Sequence, residues 1–272
     1  MRAQFNRLDC QKRQATRMTD NKAAWIKGVV ADNKHLTSNH FSLRIDAAIA
    51  PFLAGQYTSL GLPCSEDDQL AEVAQPYSIL SAPGEQPIEF FCHTTPKGSL
   101  SSDLQKLQKG DKVWIQPQPE GSFTLKQVPS AGQLWMIGTG TGVAPFLSML
   151  RTPEPWQRFE HVILVYAMRK WQDLGYGELI EQLRREHPEQ FHFIPFVSRE
   201  KVANTIYGHI PACITNGTLE KVAGHAMSPQ DSQFMLCGNP GMVQDATVAL
   251  EQKGYSRHSA LARGQITLES YW

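Results

Sequence analysis

The sequence predicts two domains, an antiparallel β-barrel followed by a doubly wound parallel α/β sheet. Residues 23–129 hold short stretches rich in β-branched and aromatic residues, about ten residues apart and separated by Gly and Pro turn signals. Residues 130–272 instead alternate apolar stretches with amphipathic ones, which is typical of repeated β-α-β units. A chain of 272 residues is long enough for both domains.

The first domain is predicted to contain six strands and one helix. The helix covers 99–107, where Leu100, Leu104 and Leu107 share one face. The strands are predicted at 23–32, 38–45, 57–62, 77–80, 88–93 and 112–116.

The boundary between the two domains is predicted near the segment 127–132. The helices of the second domain are expected from about 143, at 177–185, near 217–222 and at 240–253. Its strands are expected at 134–137, 161–167, 191–197 and 233–237.

Composition excludes several classes of protein. The chain has 26 basic and 26 acidic side chains, so a nucleic-acid-binding surface is not expected. No apolar run approaches the ~20 residues that a membrane helix needs. Residues 1–22 carry many basic residues and almost no apolar pattern. We expect them to be a disordered basic tail, or to precede the true start, since Met18 could also begin the protein.

Cysteine and histidine spacing predicts no metal site. The five cysteines stand far apart without a C-x-x-C pair, which disfavours a zinc ribbon or an iron–sulfur cluster. Their dispersal fits a reducing compartment, and a cytoplasmic location is expected. Neither H-E-x-x-H nor G-x-S-x-G occurs, so metal hydrolysis and serine hydrolase chemistry have no support.

The glycine turn G-T-G-T-G at 138–142 is the strongest candidate site. It follows the apolar strand at 134–137 and precedes a helical pattern, so backbone N–H groups and a positive helix end face an anion. It is not a P-loop, because no Gly-Lys-Ser/Thr follows it. Gly140 and Thr141 are therefore predicted to contact a bound nucleotide.

Two arginines narrow the choice of nucleotide. Arg169 and Arg199 follow the strands at 161–167 and 191–197, and an open α/β sheet binds its ligand at such strand ends. They could be two ordinary surface arginines; together with the glycine turn they favour the 2′-phosphate of NADP(H). Cys237 and Gly238 stand at another strand end, although Cys237 could also be a plain core thiol.

Three further segments are candidate sites with a structural alternative. Tyr77 could stack on a planar ring and Ser78 could bond a ring nitrogen, or both could serve packing. Ser99 opens the helix of the first domain, a second candidate phosphate site. The terminal aromatics, Tyr271 and Trp272, could cover a cofactor or extend an edge strand.

Six motifs in one order resemble the bacterial ferredoxin/flavodoxin–NADP reductase family. They are Q-P-Y-S (75–78), G-S-L-S (98–101), G-T-G-T-G-V-A-P-F (138–146), V-S-R-E (197–200), C-G-N-P (237–240) and the terminal Y-W. The resemblance implies an FAD-binding β-barrel at 23–129 and an NADP-binding α/β domain at 130–272. It also implies a monomer that transfers hydride between NADPH and FAD and exchanges single electrons with ferredoxin or flavodoxin.

The resemblance also implies the residues around each cofactor. Ser78 near flavin N5 and Cys237 beside the nicotinamide are the implied catalytic residues. The implied FAD contacts are Gln75, Pro76, Tyr77, Ser78, Phe91, Cys92, His93, Thr94, Ser99, Leu100, Ser101 and Tyr271. The implied contacts of the nicotinamide nucleotide are Gly140, Arg169, Arg199, Cys237, Gly238 and Trp272, and Thr141 is implied to contact the flavin or the nicotinamide.

Two positions depart from the family pattern. Gln75 replaces the arginine of Arg-x-Tyr-Ser, removing a charge-assisted bond to the FAD pyrophosphate that contributes about 1.5–3 kcal/mol. His209 replaces an arginine in Gly-Arg-Ile-Pro, which weakens the preference for NADPH. The same fold also serves reductases of free flavin and reductase partners of oxygenases, and a non-catalytic nucleotide-binding regulator is a third reading.

Overall fold

The computed structural model describes residues 25–37, 39–63, 70–95, 99–259 and 261–270. The chain divides into two compact units, Met1–Gly121 and Ser122–Trp272. The segment just after the division belongs to the second unit, because Phe123 packs on Phe146 and Arg158 donates to the Leu125 carbonyl at 2.8 Å. The sequence-based limits of 23–129 and 130–272 stay a prediction, and the tail at 1–22 lies outside the described residues.

The first unit is a closed antiparallel barrel. Its strands pair in the order β4-β3-β6-β1-β2-β5. A bridge between Ile79 and Phe90, and a 2.8 Å bond from the Leu80 N–H to the Glu89 carbonyl, join the two ends of that order. The elements are β1 (Ile26–His35), β2 (His40–Asp46), β3 (Tyr57–Pro63), β4 (Leu70–Ser78), β5 (Ile88–His93), α1 (Leu100–Leu104) and β6 (Lys112–Ile115).

Several element bounds in this unit differ from the sequence prediction. Strand β1 covers Ile26–His35 instead of 23–32, and strand β4 covers Leu70–Ser78 instead of 77–80. Helix α1 ends at Leu104 rather than at 107, because the Asn33 side-chain amide donates to the carbonyls of Leu104, Gln105 and Leu107 at 3.0, 3.3 and 2.8 Å. The predicted leucine face is confirmed, since all three leucines are buried.

The second unit is a parallel sheet in the order β10-β9-β8-β7-β11-β12. The chain first adds strands on one side of β7 and then returns to the other side, so the strand order reverses between β7 and β11. The strands are β7 (Gln133–Thr139), β8 (His161–Met168), β9 (Phe191–Val197), β10 (Ile206–Tyr207), β11 (Ser232–Gly238) and β12 (Ile266–Ser270).

Helices cover both faces of this sheet, as a doubly wound fold requires. They are α2 (Ala144–Leu150), α3 (Glu154–Arg158), α4 (Gly177–Glu186), α5 (Ile210–Thr215), α6 (Thr218–Ala223) and α7 (Pro240–Gln252). On one face Trp156 of α3 packs edge-on against Phe191 of β9. The other face packs against α5, α6 and α7 through Trp135, Ile137, Ile163, Val165, Ile194, Phe196, Ile214, Leu219, Val243 and Leu250.

The fold class agrees with the sequence prediction. Helices α3 and α5 and strand β10 were not predicted. In the described part of the chain, no helix is both long enough and apolar enough to cross a membrane.

Candidate functional site

Two glycine turns meet where the strand order of the parallel sheet reverses. β7 leads into a short 3-10 turn, Gly140–Val143, and β11 leads into α7. A Cβ atom on Gly142 would lie 2.6 Å from the Gly238 Cα and 2.7 Å from the Cys237 carbonyl oxygen. A Cβ atom on Gly238 would likewise collide with Thr139. The two turns therefore contact each other through backbone, and only glycine fits at these positions.

Hydrogen bonds hold the second turn in place. The Asn239 N–H donates to Thr139 Oγ1 at 2.9 Å, so the start of α7 is tied to the end of β7. The Asn239 side chain accepts the Met242 N–H at 3.2 Å and caps α7. Cys237 is fully buried on β11, and its backbone pairs with Gly138. The predicted site residues Cys237 and Gly238 thus lie beside the first glycine turn.

The first turn leaves space above Gly140. Gly140 has a φ of +54°, and a Cβ atom placed there would meet no described atom within 4 Å. Among described residues, no side chain caps the 3-10 turn or α2. The first N–H groups of the 3-10 turn remain available to an anionic ligand, whereas the Ala144 N–H at the start of α2 donates to the Thr141 carbonyl. Thr141 is half-buried in the same turn.

Arg169 and Arg199 are adjacent at the same edge of the sheet. Arg169 directly follows β8, Arg199 is the second residue after β9, and the Arg199 N–H donates to the Arg169 carbonyl at 3.0 Å. Both side chains are exposed, and no described carboxylate forms an ion pair with either. The nearby Glu200 accepts the Trp171 N–H at 2.7 Å. Two like charges without a carboxylate partner are suited to an anion such as a phosphate.

Aromatic and basic side chains surround this pair. Trp171 is 41% exposed and Tyr207 is 55% exposed. The Lys201 ammonium lies 5.7 Å above the Tyr207 ring. His209 is exposed and precedes α5. An exposed ring next to cationic groups can stack on a nucleotide base.

In the first unit, the predicted flavin-contacting residues lie on β4. Gln75 and Pro76 are exposed, Tyr77 is half-buried and Ser78 is buried. Pro76 has no N–H to donate, which a strand at a sheet edge tolerates. The Tyr77 hydroxyl lies 3.4 Å from Gln75 Oε1. Burial, and secondarily the Cys92 thiol, raises the pKa of Tyr77, so its phenol stays neutral.

The end of β5 supplies the next group of predicted residues. Phe91 and Cys92 are buried, and burial raises the pKa of the Cys92 thiol well above its ordinary value. His93 Nδ1 lies 3.3 Å from His40 Nε2. Thr94 follows, and its buried Oγ1 has no hydrogen-bond partner among the described residues.

The serines that open α1 form a small hydroxyl cluster. Ser99 accepts the Ser102 N–H at 3.2 Å and caps the helix. Ser101 is buried, and its Oγ accepts the Thr95 N–H at 3.0 Å. The Ser102 Oγ is also buried without a partner in the part of the chain that is described. Sequence reasoning named Ser99, Leu100 and Ser101 but not Ser102, although it belongs to the same serine run.

The C-terminal aromatics, Tyr271 and Trp272, lie outside the described residues. Strand β12 ends at Ser270, which pairs with Gly238 of β11.

Known proteins resemble this chain along most of its length. The family model described as "Oxidoreductase NAD-binding domain" matches residues 136–247. The flavodoxin/ferredoxin–NADP reductase of Buchnera aphidicola subsp. Schizaphis graminum is 38% identical, covering 91% of this chain and 99% of that protein. The Escherichia coli K12 protein of the same name is 37% identical, covering 92% and 100%.

A solved structure agrees with these relatives. The crystal structure of a ferredoxin NADP+ reductase from Neisseria gonorrhoeae, with bound FAD and NADP, matches with a TM-score of 0.85 and 28% identity. The match covers 92% of this chain and all of that one. Since the sequence relatives match almost end to end and the structure repeats both folds, the chain belongs to the flavodoxin/ferredoxin–NADP reductase family.

Proposed function

We propose that this protein is an oxidoreductase that moves electrons between NADPH and ferredoxin or flavodoxin through FAD. The family relationship supports the reaction. The adjacent Arg169 and Arg199, which form no ion pair with a described carboxylate, are the observation that carries the choice of NADPH. When bound, FAD supplies the chemistry of taking one hydride, which carries two electrons, and releasing those electrons one at a time. The protein has to bind, orient and shield its cofactors, which needs no strong acid or base.

The second unit would hold NADP(H) at its carboxyl edge. The open backbone at Gly140 and Thr141 suits the pyrophosphate, because uncapped N–H groups converge there. Arg169 and Arg199 would bind the 2′-phosphate, which NADH lacks. Each charge-assisted contact contributes about 1.5–3 kcal/mol where it is shielded and less where it is exposed. Cys237 and Gly238 would lie beside the nicotinamide, with Trp272 near the adenine.

The first unit fits FAD through its orphaned hydroxyls. Thr94 Oγ1 and Ser102 Oγ are buried without a partner in the described residues, an arrangement that a polar ligand would satisfy. Tyr77 would stack on the flavin ring, with Ser78 near its N5. The segments Phe91–Thr94 and Ser99–Ser101 would line the cofactor, and Tyr271 would cover it.

Gln75 offers a partial replacement for the family's arginine. Its Oε1 lies 3.4 Å from the Tyr77 hydroxyl, a contact in which the phenol donates. The Gln75 amide N–H groups then remain as donors, so one neutral bond to the FAD pyrophosphate replaces a charged one. Weaker FAD binding, not its loss, is the expected consequence.

The test is an anaerobic titration of the purified yellow protein. NADPH should bleach the flavin absorbance at a concentration at least tenfold below that required of NADH. Electron transfer to cytochrome c should then depend on added ferredoxin or flavodoxin. Equal rates of cytochrome c reduction with and without a carrier, together with rapid oxidation of NADPH by free FMN, would instead identify a free-flavin reductase. Protein without flavin would remove the proposal altogether.

We also propose a monomer located in the cytoplasm. The described cysteines Cys92, Cys213 and Cys237 are buried and not in disulfides, which fits a reducing compartment. Sedimentation velocity of the FAD-loaded protein should give a single species near 30.5 kDa.

A further inference from the structure

Three histidines converge at the other edge of the parallel sheet, where its strands begin. His161 is the first residue of β8, His192 is the second residue of β9, and His225 follows α6. They are separated by 31 and 33 residues along the chain. No local motif joins them, which is why the sequence predicted no metal ligands.

Sheet register explains the first two positions. His192 pairs with Ile163, two residues after His161, so the side chains of His161 and His192 lie on the same face. That face is the one covered by α5, α6 and α7, as the burial of Ile163 and Ile194 shows. The histidines therefore stand at the rim of an apolar core.

The third histidine is held by the loop after α6. Gly224 ends the helix with a φ of +76°, which turns the chain back toward the sheet. The Gln133 side chain donates to the Ala226 carbonyl at 3.0 Å, and the Met227 N–H donates to Glu220 at 2.9 Å. His225 thus directly precedes two residues that are held by hydrogen bonds.

The ring nitrogens have the spacing of a coordination sphere. His192 Nε2 lies 3.4 Å from His161 Nδ1 and 3.2 Å from His225 Nε2, and the three atoms all lie within 4.8 Å of one another. A tetrahedral ion with bonds of about 2.0–2.1 Å has ligands roughly 3.3–3.4 Å apart. Two of the three distances fit already, and the third is no longer than 4.8 Å.

The surroundings suit neutral imidazoles. Burial and the neighbouring rings lower the pKa of His192, opposed only by Glu189, and burial and His161 lower the pKa of His225. Neutral rings bind a metal without first losing a proton. His192 also lines a surface cleft, together with Glu181, Arg184 and Arg185.

We propose that His161, His192 and His225 bind one Zn²⁺ ion or a similar divalent transition metal. Imidazole is a preferred ligand of this class, and three histidines leave one position for water. The ion would tie β8, β9 and the loop after α6 together. It would act on stability, because binding to the folded state alone shifts the unfolding equilibrium.

The test uses the full FAD-loaded protein, treated with EDTA and dialysed, with ZnCl₂ as the probe. Calorimetry should show one equivalent bound with micromolar or tighter affinity. The His192→Gln variant should bind at least about tenfold more weakly. His35→Gln is the matched control, since His35 is an exposed histidine in the other unit, and it should bind like wild type.

Two further measurements keep the proposal testable if His192→Gln does not fold. His225→Gln lies in a loop outside the sheet, and it should also lose Zn²⁺ binding and the Zn²⁺-dependent rise in unfolding temperature. Co²⁺ added to wild type should give the visible absorption of a tetrahedral nitrogen site. Equal Zn²⁺ binding by wild type and either cluster variant, or none below millimolar concentration, would overturn the proposal.

Discussion

The contact between the two glycine turns predicts that Gly142→Ala destabilises the second unit. The added methyl carbon would lie 2.6, 2.7 and 2.8 Å from three backbone atoms of Cys237 and Gly238. Ordinary contact begins at 3.4 Å, so the turns must separate by about 0.8 Å (3.4 − 2.6). Because these neighbours are backbone, no rotamer change relieves the collision. The expected cost is about 3 kcal/mol, the upper end for overpacking.

Thermal unfolding followed by circular dichroism measures this cost. A loss of 1 kcal/mol lowers the midpoint by about 2–4 °C in a domain of this size, so a drop of about 6–12 °C is expected. Flavin content, which reports on the first unit, should stay the same. NADPH should bind more weakly, because the displaced turn belongs to its proposed site.

Gly140→Ala is the matched control for sterics. A methyl group there meets no described atom within 4 Å, and the cost is limited to the left-handed backbone, about 1–2 kcal/mol. Its midpoint should therefore fall about half as far. If Gly142→Ala unfolds within 2 °C of wild type, or if both variants lose the same stability, the steric reasoning is wrong.

Four other substitutions or conditions test separate parts of the structure. Arg199→Ala should raise the KM for NADPH about tenfold and leave that for NADH unchanged; equal rises would contradict phosphate recognition. Gln75→Arg should tighten FAD binding about tenfold or more, measured by flavin release, and no change would place position 75 away from the pyrophosphate. Asn33→Leu should lower the free energy of unfolding by about 1–3 kcal/mol, because three carbonyls lose their donor; urea titration measures it. The pKa values of His192 and His225 are lowered below 6.5, so the unfolded chain binds more protons than the folded chain in acid. The unfolding temperature of the metal-free protein should therefore be highest above pH 6.5 and should fall as the pH drops below 6.5. This fall should be less steep in the His192→Gln variant.

Strand periodicity predicted both folds, but some element ends depend on distant residues. Helix α1 ends where the side-chain amide of Asn33, which lies far away in sequence on β1, donates hydrogen bonds to the carbonyls of Leu104 and Leu107. Helix α5 was missed because Ile210, Ile214 and Thr215 are β-branched and favour strands. The spacing of Ile210, Cys213 and Ile214, all buried, is nevertheless that of a helix face and was readable.

The candidate sites also include one that the sequence could predict and one that it could not. Arg169 and Arg199 were predictable because each lies within two residues of the end of an apolar strand, and parallel strands end at one edge. The convergence of His161, His192 and His225 was not predictable, because it depends on sheet register and on a loop anchored by Gln133. Pairing of this kind leaves no trace in local spacing.

The parallel strands also keep the two edges of the sheet electrically independent. From His161 to Met168, β8 advances seven residues at about 3.3 Å each, or roughly 23 Å. At physiological ionic strength, charges interact over only about 8 Å. A doubly charged ion among the histidines would therefore leave the potential at the arginine pair almost unchanged. The stability of this unit can then follow metal supply while its affinity for a phosphate stays constant.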